Sequence, residues 1–179
     1  MNKHLLSILI VWSCMHGNAQ EYGHTLNLGI GIGYYGHVGH SIPVLHANYE
    51  FDVADNFTLA PFASFYSHRH SRYWGSPNHP YKLYQYSETV IPVGVKGSYY
   101  FDELLEADED WDFYLAGSLG FALINSRWDS DYYGERDVYR RTSPLFLDLH
   151  VGAKYHLKDN LGLFLDLSTG ASTFGVSIR

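Results

Sequence analysis

Hydrophobic and polar residues alternate with a period of two along almost the whole chain after Glu21, the pattern of strands that show one face to an apolar and one to a polar environment. The first run sets Leu26, Leu28, Ile30, Ile32 and Tyr34 against Asn27, Gly29, Gly31 and Gly33. A second sets Leu45, Ala47, Tyr49, Phe51 and Val53 against Val44, His46, Asn48, Glu50 and Asp52. A third, over 57–68, has aromatics in both phases and Pro61 within it, so its phase stays open. The fourth has Ile91, Val93, Val95, Tyr99 and Phe101 opposite Pro92, Gly94, Lys96 and Ser98, and the fifth, over 111–124, has Phe113, Leu115, Leu119, Phe121 and Leu123 on one face. The sixth sets Leu145, Leu147, Leu149, Val151, Ala153 and Tyr155 against Asp148, His150, Gly152, Lys154 and His156. Leu161 to Leu167 and Phe174 to Ile178 supply the last two, which predicts eight strands.

The connections alternate in kind. Ala54-Asp55-Asn56 and Lys158-Asp159-Asn160 have the Asp-Asn chemistry of tight turns. The acidic link 102–110 falls at the same end and suits one helical turn or two. At the other end, segments 71–85 and 127–142 read as long loops rich in Tyr, Trp, Ser, Gly and Pro. Short turns at one end and long loops at the other are the layout of a membrane-embedded up-and-down barrel. The expected fold is therefore all-β, an eight-stranded antiparallel up-and-down transmembrane β-barrel preceded by a signal peptide.

Alternation alone does not say which face meets lipid, because a lipocalin-like soluble barrel has the same period turned the other way. Two features favour lipid on the apolar side. Glycines 29, 31, 33, 94, 152, 162 and 175 all lie in the polar phase, as a crowded small-barrel interior requires. Tyr49, Phe51, Phe57, Tyr99, Phe101, Trp111, Phe113 and Tyr155 gather at the short-turn end, where a membrane barrel carries its aromatic girdle.

Residues 1–19 read as an export signal: Lys3, then the apolar core Leu5–Trp12, then Gly17-Asn18-Ala19 before the cut. The domain division is thus 1–19 signal peptide and 20–179 barrel. A lipoprotein box ending at Cys14 is the alternative. Cys14 is the sole cysteine of 179 residues, so the barrel has no disulfide or thiol chemistry. The 19 acidic against 12 basic residues, a formal charge of −7, exclude a basic-patch nucleic-acid binder.

The chain resembles the small eight-stranded outer-membrane β-barrel proteins, the OmpX- and OmpA-transmembrane-like group, and most closely the Bacteroidota-type outer-membrane barrel family. The stretches that carry the resemblance are Trp111–Gly120, Trp128–Gly134, His150–Tyr155 and the closing Phe174–Arg179. Such barrels usually end on an aromatic residue that the assembly machinery reads, whereas this chain ends on Arg179. The resemblance implies residence in the cell outer membrane of a Gram-negative bacterium. The implied partners are outer-membrane lipids and lipopolysaccharide, the barrel assembly machinery during biogenesis, and an unknown extracellular partner. No catalytic, cofactor-binding or metal-binding residue is assigned, and no cofactor is expected.

Several groups of residues are of types that can carry chemistry. Gly31-Ile32-Gly33-Tyr34-Tyr35-Gly36 matches G-x-G-x-x-G but lacks the helix that would receive a phosphate. Glu50, Asp52, Lys96, Asp148, His150, Lys154, His156 and Asp166 fall in the polar phase with both signs present, and are expected to pair inside the lumen. His37, His40, His68, His70 and His79 lie at the loop end, with His68 and His70 on one side if the strand continues that far. Asp129–Gly134 begins like a calcium loop, but Arg140 stands where the bidentate Glu belongs. Ser67, His68, His70, Ser71 and Glu88 are the material for a lipid A-modifying hydrolase or acyltransferase, yet no His-x-Ser occurs. The loops also hold Tyr73, Trp74, Tyr81, Tyr84, Trp128, Tyr132, Tyr133 and Tyr139 with Arg69, Arg72, Arg127, Arg136, Arg140 and Arg141, residue types that dominate recognition surfaces. The reading is a non-enzymatic outer-membrane barrel for surface interaction, adhesion or envelope integrity. A lipid A-modifying enzyme and a secreted lipocalin-like carrier are the alternatives.

Overall fold

The computed structural model describes residues 22, 24–33, 42–105, 107–134 and 144–179. Eight strands, β1 (Thr25–Gly33), β2 (Ile42–Ala54), β3 (Phe57–Ser76), β4 (His79–Tyr100), β5 (Trp111–Trp128), β6 (Leu145–Lys158), β7 (Leu161–Ser168) and β8 (Ala171–Ile178), form a closed antiparallel barrel in sequence order. The seam is β1 on β8, from Leu26 opposite Ile178 to Gly33 opposite Ala171. The predicted export segment 1–19, Cys14, Tyr34 to His40, and Arg136, Tyr139, Arg140 and Arg141 lie outside the described residues.

The turns at one end are as their residues dictate. Asp55-Asn56 joins β2 to β3, with Asn56 at a φ of 56°, a left-handed position that Asn tolerates. Asp102–Leu105 forms a single 3-10 turn in the acidic link. At the other end the expectation of a loop over 71–85 is corrected. β3 and β4 run on through it as 20- and 22-residue strands, paired from Ser67 opposite Thr89 out to Ser76 opposite His79. Above the bilayer the outward face meets water instead of hydrocarbon and no longer requires Leu, Ile or Val, so the alternation that marks a strand fades while its hydrogen-bond ladder continues.

The direction of the side chains decides what surrounds the barrel. Ile32, Leu147 and Leu149 on the outer wall are 63–70% exposed, whereas Glu50, Lys96, Lys154 and Asp166 inside are at most 4% exposed. A wall of Leu, Ile, Val and Phe around a charged interior is stable only in hydrocarbon. This rules out the lipocalin-like carrier, whose apolar face would line the cavity. β3 takes the same sense: Phe57, Leu59, Pro61, Ala63 and Phe65 face out, while Thr58, Ala60, Ser64 and Tyr66 are buried.

The expected aromatic ring stands on the outer wall at the short-turn end. Phe57 is opposite Tyr99 and Trp111 opposite Tyr155, and the Trp111 ring lies 4.8 Å from Tyr155 and 5.8 Å from Phe113. Inside, glycine makes room for large neighbours. A Cβ on Gly152 would stand 2.2 Å from Tyr114 Cζ, and one on Gly29 would stand 2.7 Å from Phe164 Cζ. These rings lie across the lumen over their glycines.

Candidate functional site

The lumen is filled in layers. At the short-turn end Tyr22 stacks on Tyr100 at 4.2 Å, and its hydroxyl donates to Asp102 Oδ2 at 3.0 Å. Above lies the ionic layer foreseen from the polar phase. Glu50 takes the ammonium of Lys154 and, at 2.8 Å, the hydroxyl of Tyr100. Lys96 Nζ is 3.0 Å from Asp166 Oδ2 and 3.9 Å from Glu50 Oε1. Asp166 also accepts from Tyr114 at 2.8 Å and from His150 Nδ1 at 2.7 Å, and His150 Nε2 reaches Ser118 Oγ at 2.9 Å. His156 Nε2 bonds Asp112 Oδ2 at 2.7 Å. Asp52 and Asp148 face inward half-buried.

Two carboxylates, two ammonium groups and the phenols that share them thus bring their charges together in one cluster, as groups removed from water must. A second chain of bonds runs beside it: Ser177 donates to Asn27, Asn27 to Asn48, Asn48 to His46, and His46 Nδ1 meets Ser64 Oγ at 2.8 Å. The cavity bounded by His46, Lys96, Asp148, His150 and Asp166 has about 20 Å³ of free volume, room for one water and no aqueous channel.

Next comes an apolar layer of Val44, Tyr66, Val90 and Ala122. The outer end is closed by rings. His70 stacks on Tyr86 at 5.0 Å, Tyr86 on Trp128 at 4.3 Å, and Trp128 on Tyr132 at 4.4 Å. Trp74 meets Tyr132 edge-on at 5.4 Å and Tyr84 at 6.0 Å. Tyr84 and Tyr132, expected among loop recognition residues, are fully buried here. The expected pairing of charges inside the lumen is present, and the apolar layer and this aromatic lid fill the lumen beyond it.

The catalytic candidates separate. His68 and His70 do share a side, with ring centres 4.4 Å apart, and His70 Nε2 is 3.7 Å from Glu88 Oε2 inside the wall. Ser67 and Ser71 are exposed on the opposite side, where Ser67 bonds Thr89 Oγ1 at 3.2 Å. The wall of the barrel therefore stands between nucleophile and base. The carboxylates of the calcium-like segment also diverge. Asp129 Oδ2 accepts the Gln85 amide at 2.7 Å, while Asp131 pairs with Lys82. That exposed pair holds Lys82 above and Asp131 below their ordinary pKa values through the hydrogen bond between them. Gly31 and Gly33 lie in β1 between β2 and β8. His79 sits at the hairpin tip, bonded to Ser76 at 3.1 Å and packed 4.5 Å from the Tyr133 ring. Among the described residues no three His, Cys, Asp or Glu side chains converge as a metal would need.

No family model matches the chain, and no curated protein matches it. Among solved structures it is similar to a barrel from the de novo design of transmembrane β-barrels, at 13% identity over 89% of this chain and 98% of that one, with a TM-score of 0.46. It is also similar to Neisserial surface protein A, at 14% identity over 87% and 94% of the two chains and a TM-score of 0.48. Ail, the attachment invasion locus protein of Yersinia pestis, solved with the heparin analogue sucrose octasulfate, gives 11% identity over 86% and 94% and a TM-score of 0.42. The chain is an eight-stranded transmembrane β-barrel. The direction of its side chains, apolar outward and charged toward the lumen, carries that conclusion.

Among the described residues, the projecting β3–β4 hairpin and the segment after β5 stand open to solvent at this end. Tyr73, Tyr81, Leu83 and Tyr133 there are 59–67% exposed. Tyr73 is eight residues beyond Phe65, the last apolar residue of the outer wall of β3, which puts it roughly 20 Å further out along a tilted strand. Sequence reasoning missed the hairpin that presents these side chains. It also missed the inward partners Tyr100, Tyr114 and Asp112. Their positions in the polar phase of β4 and β5 were the available signal.

Proposed function

We propose that the protein is a non-enzymatic barrel of the bacterial outer membrane whose tall hairpin presents an aromatic surface for interaction or adhesion outside the cell. Residues 1–19 direct export and are removed, the barrel assembly machinery inserts the chain, and lipid and lipopolysaccharide surround its wall. The observation that carries this reading is the exposure of Tyr73, Tyr81 and Leu83 on one side of the hairpin, Tyr73 directly opposite Leu83 and 6.1 Å from Tyr81 between ring centres. Large apolar side chains held together in water, beyond the reach of the bilayer, mark a surface that meets a partner. A plugged lumen and divided catalytic candidates leave the exterior as the working part.

The test is Tyr73→Ser, Tyr81→Ser and Leu83→Ser together in a Gram-negative host. Outer-membrane recovery and the boiling-dependent gel shift of a folded barrel should be unchanged, while attachment of the cells to immobilised matrix proteins and their autoaggregation should fall. Undiminished attachment and aggregation in a folded, surface-exposed variant would sink the interaction reading.

A further inference from the structure

The lipid-facing wall over β3, β4 and β5 changes character in successive rows set by the strand register. The last apolar row holds Ile91 opposite Leu123, with Phe65 on the adjoining strand. A neutral row follows, Ser67 opposite Thr89 opposite Asn125. The next is Arg69 opposite Ser87 opposite Arg127. Two strand spacings put the arginine backbones about 10 Å apart, so both guanidinium groups reach the space over Ser87. That space is an open depression of about 340 Å³ whose lining includes Arg69, Gln85, Ser87 and Arg127. Both arginines are exposed, and no described carboxylate forms an ion pair with either. The one acid among the lining residues, Asp129, accepts the Gln85 backbone amide at 2.7 Å.

Height makes the row informative. Arg69 and Arg127 are each four residues past the lipid-facing Phe65 and Leu123 of the last apolar row, roughly 10 Å above the hydrocarbon edge on a tilted strand. Long arginine side chains there bend down to headgroup level. Lower on the wall and to the β3 side of this row, across β8, β1, β2 and β3, runs an apolar trough of about 650 Å³, its lining including Leu45, Phe65, Ile91 and Phe174 with the small Ala47 and Ala63 between them. An adjoining hollow carries it up to Ser67, and Arg69 is the next outward residue on β3.

We propose that this wall holds one phosphorylated lipid of the surrounding leaflet, its phosphate clasped by Arg69 and Arg127 over the Ser87 hydroxyl and one acyl chain lying in the trough over Ala47 and Ala63. A tetrahedral phosphate offers oxygens to two guanidinium forks and a hydroxyl at once, which a planar carboxylate does less fully. Two cations against a single lining carboxylate, Asp129, itself engaged by the Gln85 amide, select a headgroup of net negative charge over a zwitterionic one. The inference rests on the outer-membrane reading above and adds the class of lipid and the residues that take it.

The test uses the folded barrel in phosphatidylcholine nanodiscs, with diphosphoryl lipid A as the probe, its dephosphorylated form as the control, and native mass spectrometry to count retained lipid. One lipid A per barrel is expected. The loss should be about tenfold or more for the dephosphorylated probe and for R69A/R127A, since even one charge-assisted contact is worth that much. A47L/A63L, which fills the trough and leaves the arginines in place, should also lower retention. Equal retention by R69A/R127A would overturn the proposal. So would displacement of the lipid by millimolar inorganic phosphate, which would make the site one for a free anion. If the outer-membrane reading itself were wrong, wild-type protein would show neither membrane recovery nor a boiling-dependent shift before any lipid was added.

Discussion

Glu50→Ala removes the one carboxylate that Lys154 meets in an ion pair among the described residues, and the acceptor of the Tyr100 hydroxyl, while Lys96 keeps Asp166 at 3.0 Å. Glu50 and Lys154 are 0% and 3% exposed at the side chain, so neither orphaned group has bulk water to turn to. An unpaired buried charge costs about 3–5 kcal/mol, and a buried hydroxyl stripped of its acceptor about 1–3 kcal/mol. The two share one site and do not simply add, so the expected loss is at least about 3 kcal/mol. A water-filled lumen would reduce it to about 0–1 kcal/mol, the worth of a solvated pair. Urea unfolding of the barrel in phosphatidylcholine bilayers, followed by the heat-dependent gel shift, separates these values. Glu50→Gln with Lys154→Met removes both charges and should recover most of the stability. A loss under 1 kcal/mol in Glu50→Ala, or no recovery in the double variant, would refute the dry ionic core.

Three further outcomes follow from the same structure. Gly152→Val places a Cβ 2.2 Å from Tyr114 Cζ; overpacking of this kind costs about 1–3 kcal/mol or more, read as a lowered urea midpoint or failure to refold. Leu149→Arg on the outer wall, where Leu149 is 63% exposed, should cost about 2–4 kcal/mol in a bilayer; a change near zero would mean that this face meets water. The Lys82–Asp131 contact ties the hairpin to the segment after β5. Asp131 is depressed, so its contribution is present above the ordinary carboxylate value and lost as pH falls through the lowered one; Lys82 is raised, so its contribution is present below the ordinary lysine value and lost as pH rises through the higher one. Tryptophan fluorescence from Trp74 and Trp128 should therefore change at both pH extremes, and Lys82→Met should remove both changes.

Strand count, the short-turn positions and the phase of every strand but β3 were legible in the sequence because a bilayer imposes a binary choice at every residue of the wall. Leu147 faces lipid and Asp148 the lumen, with no intermediate position available to either. The same logic made the ionic partners legible as a set, though not as pairs: nothing in the spacing joins Glu50 to Lys154 rather than to Lys96, because that depends on closing the barrel across 104 residues of chain. Beyond the bilayer the binary choice lapses. Ser71, Arg72, Gly75 and Ser76 look like loop residues, and only the continued pairing, Arg72 opposite Tyr84 and Trp74 opposite Lys82, makes them strand. Tyr84 and Tyr132, read as loop recognition residues, and Tyr100 and Tyr114, not read at all, escaped for a different reason. A tyrosine is apolar enough for a lipid wall and polar enough for a lumen, so its identity does not report its side.

The unequal height of the wall has a mechanical consequence. β3 and β4 have 20 and 22 residues, while β7 and β8 have 8 each, so the molecule is a mast set at one side of a low ring. A pull on the tip, directed away from the cell, runs along both strands of the mast. The hydrogen bonds that join them to β2 and β5 lie across that direction. They are loaded in shear, many at once, rather than peeled in turn. A hairpin rooted this way resists tension best when the pull is normal to the envelope and least when it is sideways, toward β7 and β8, where no described strand of equal height props it.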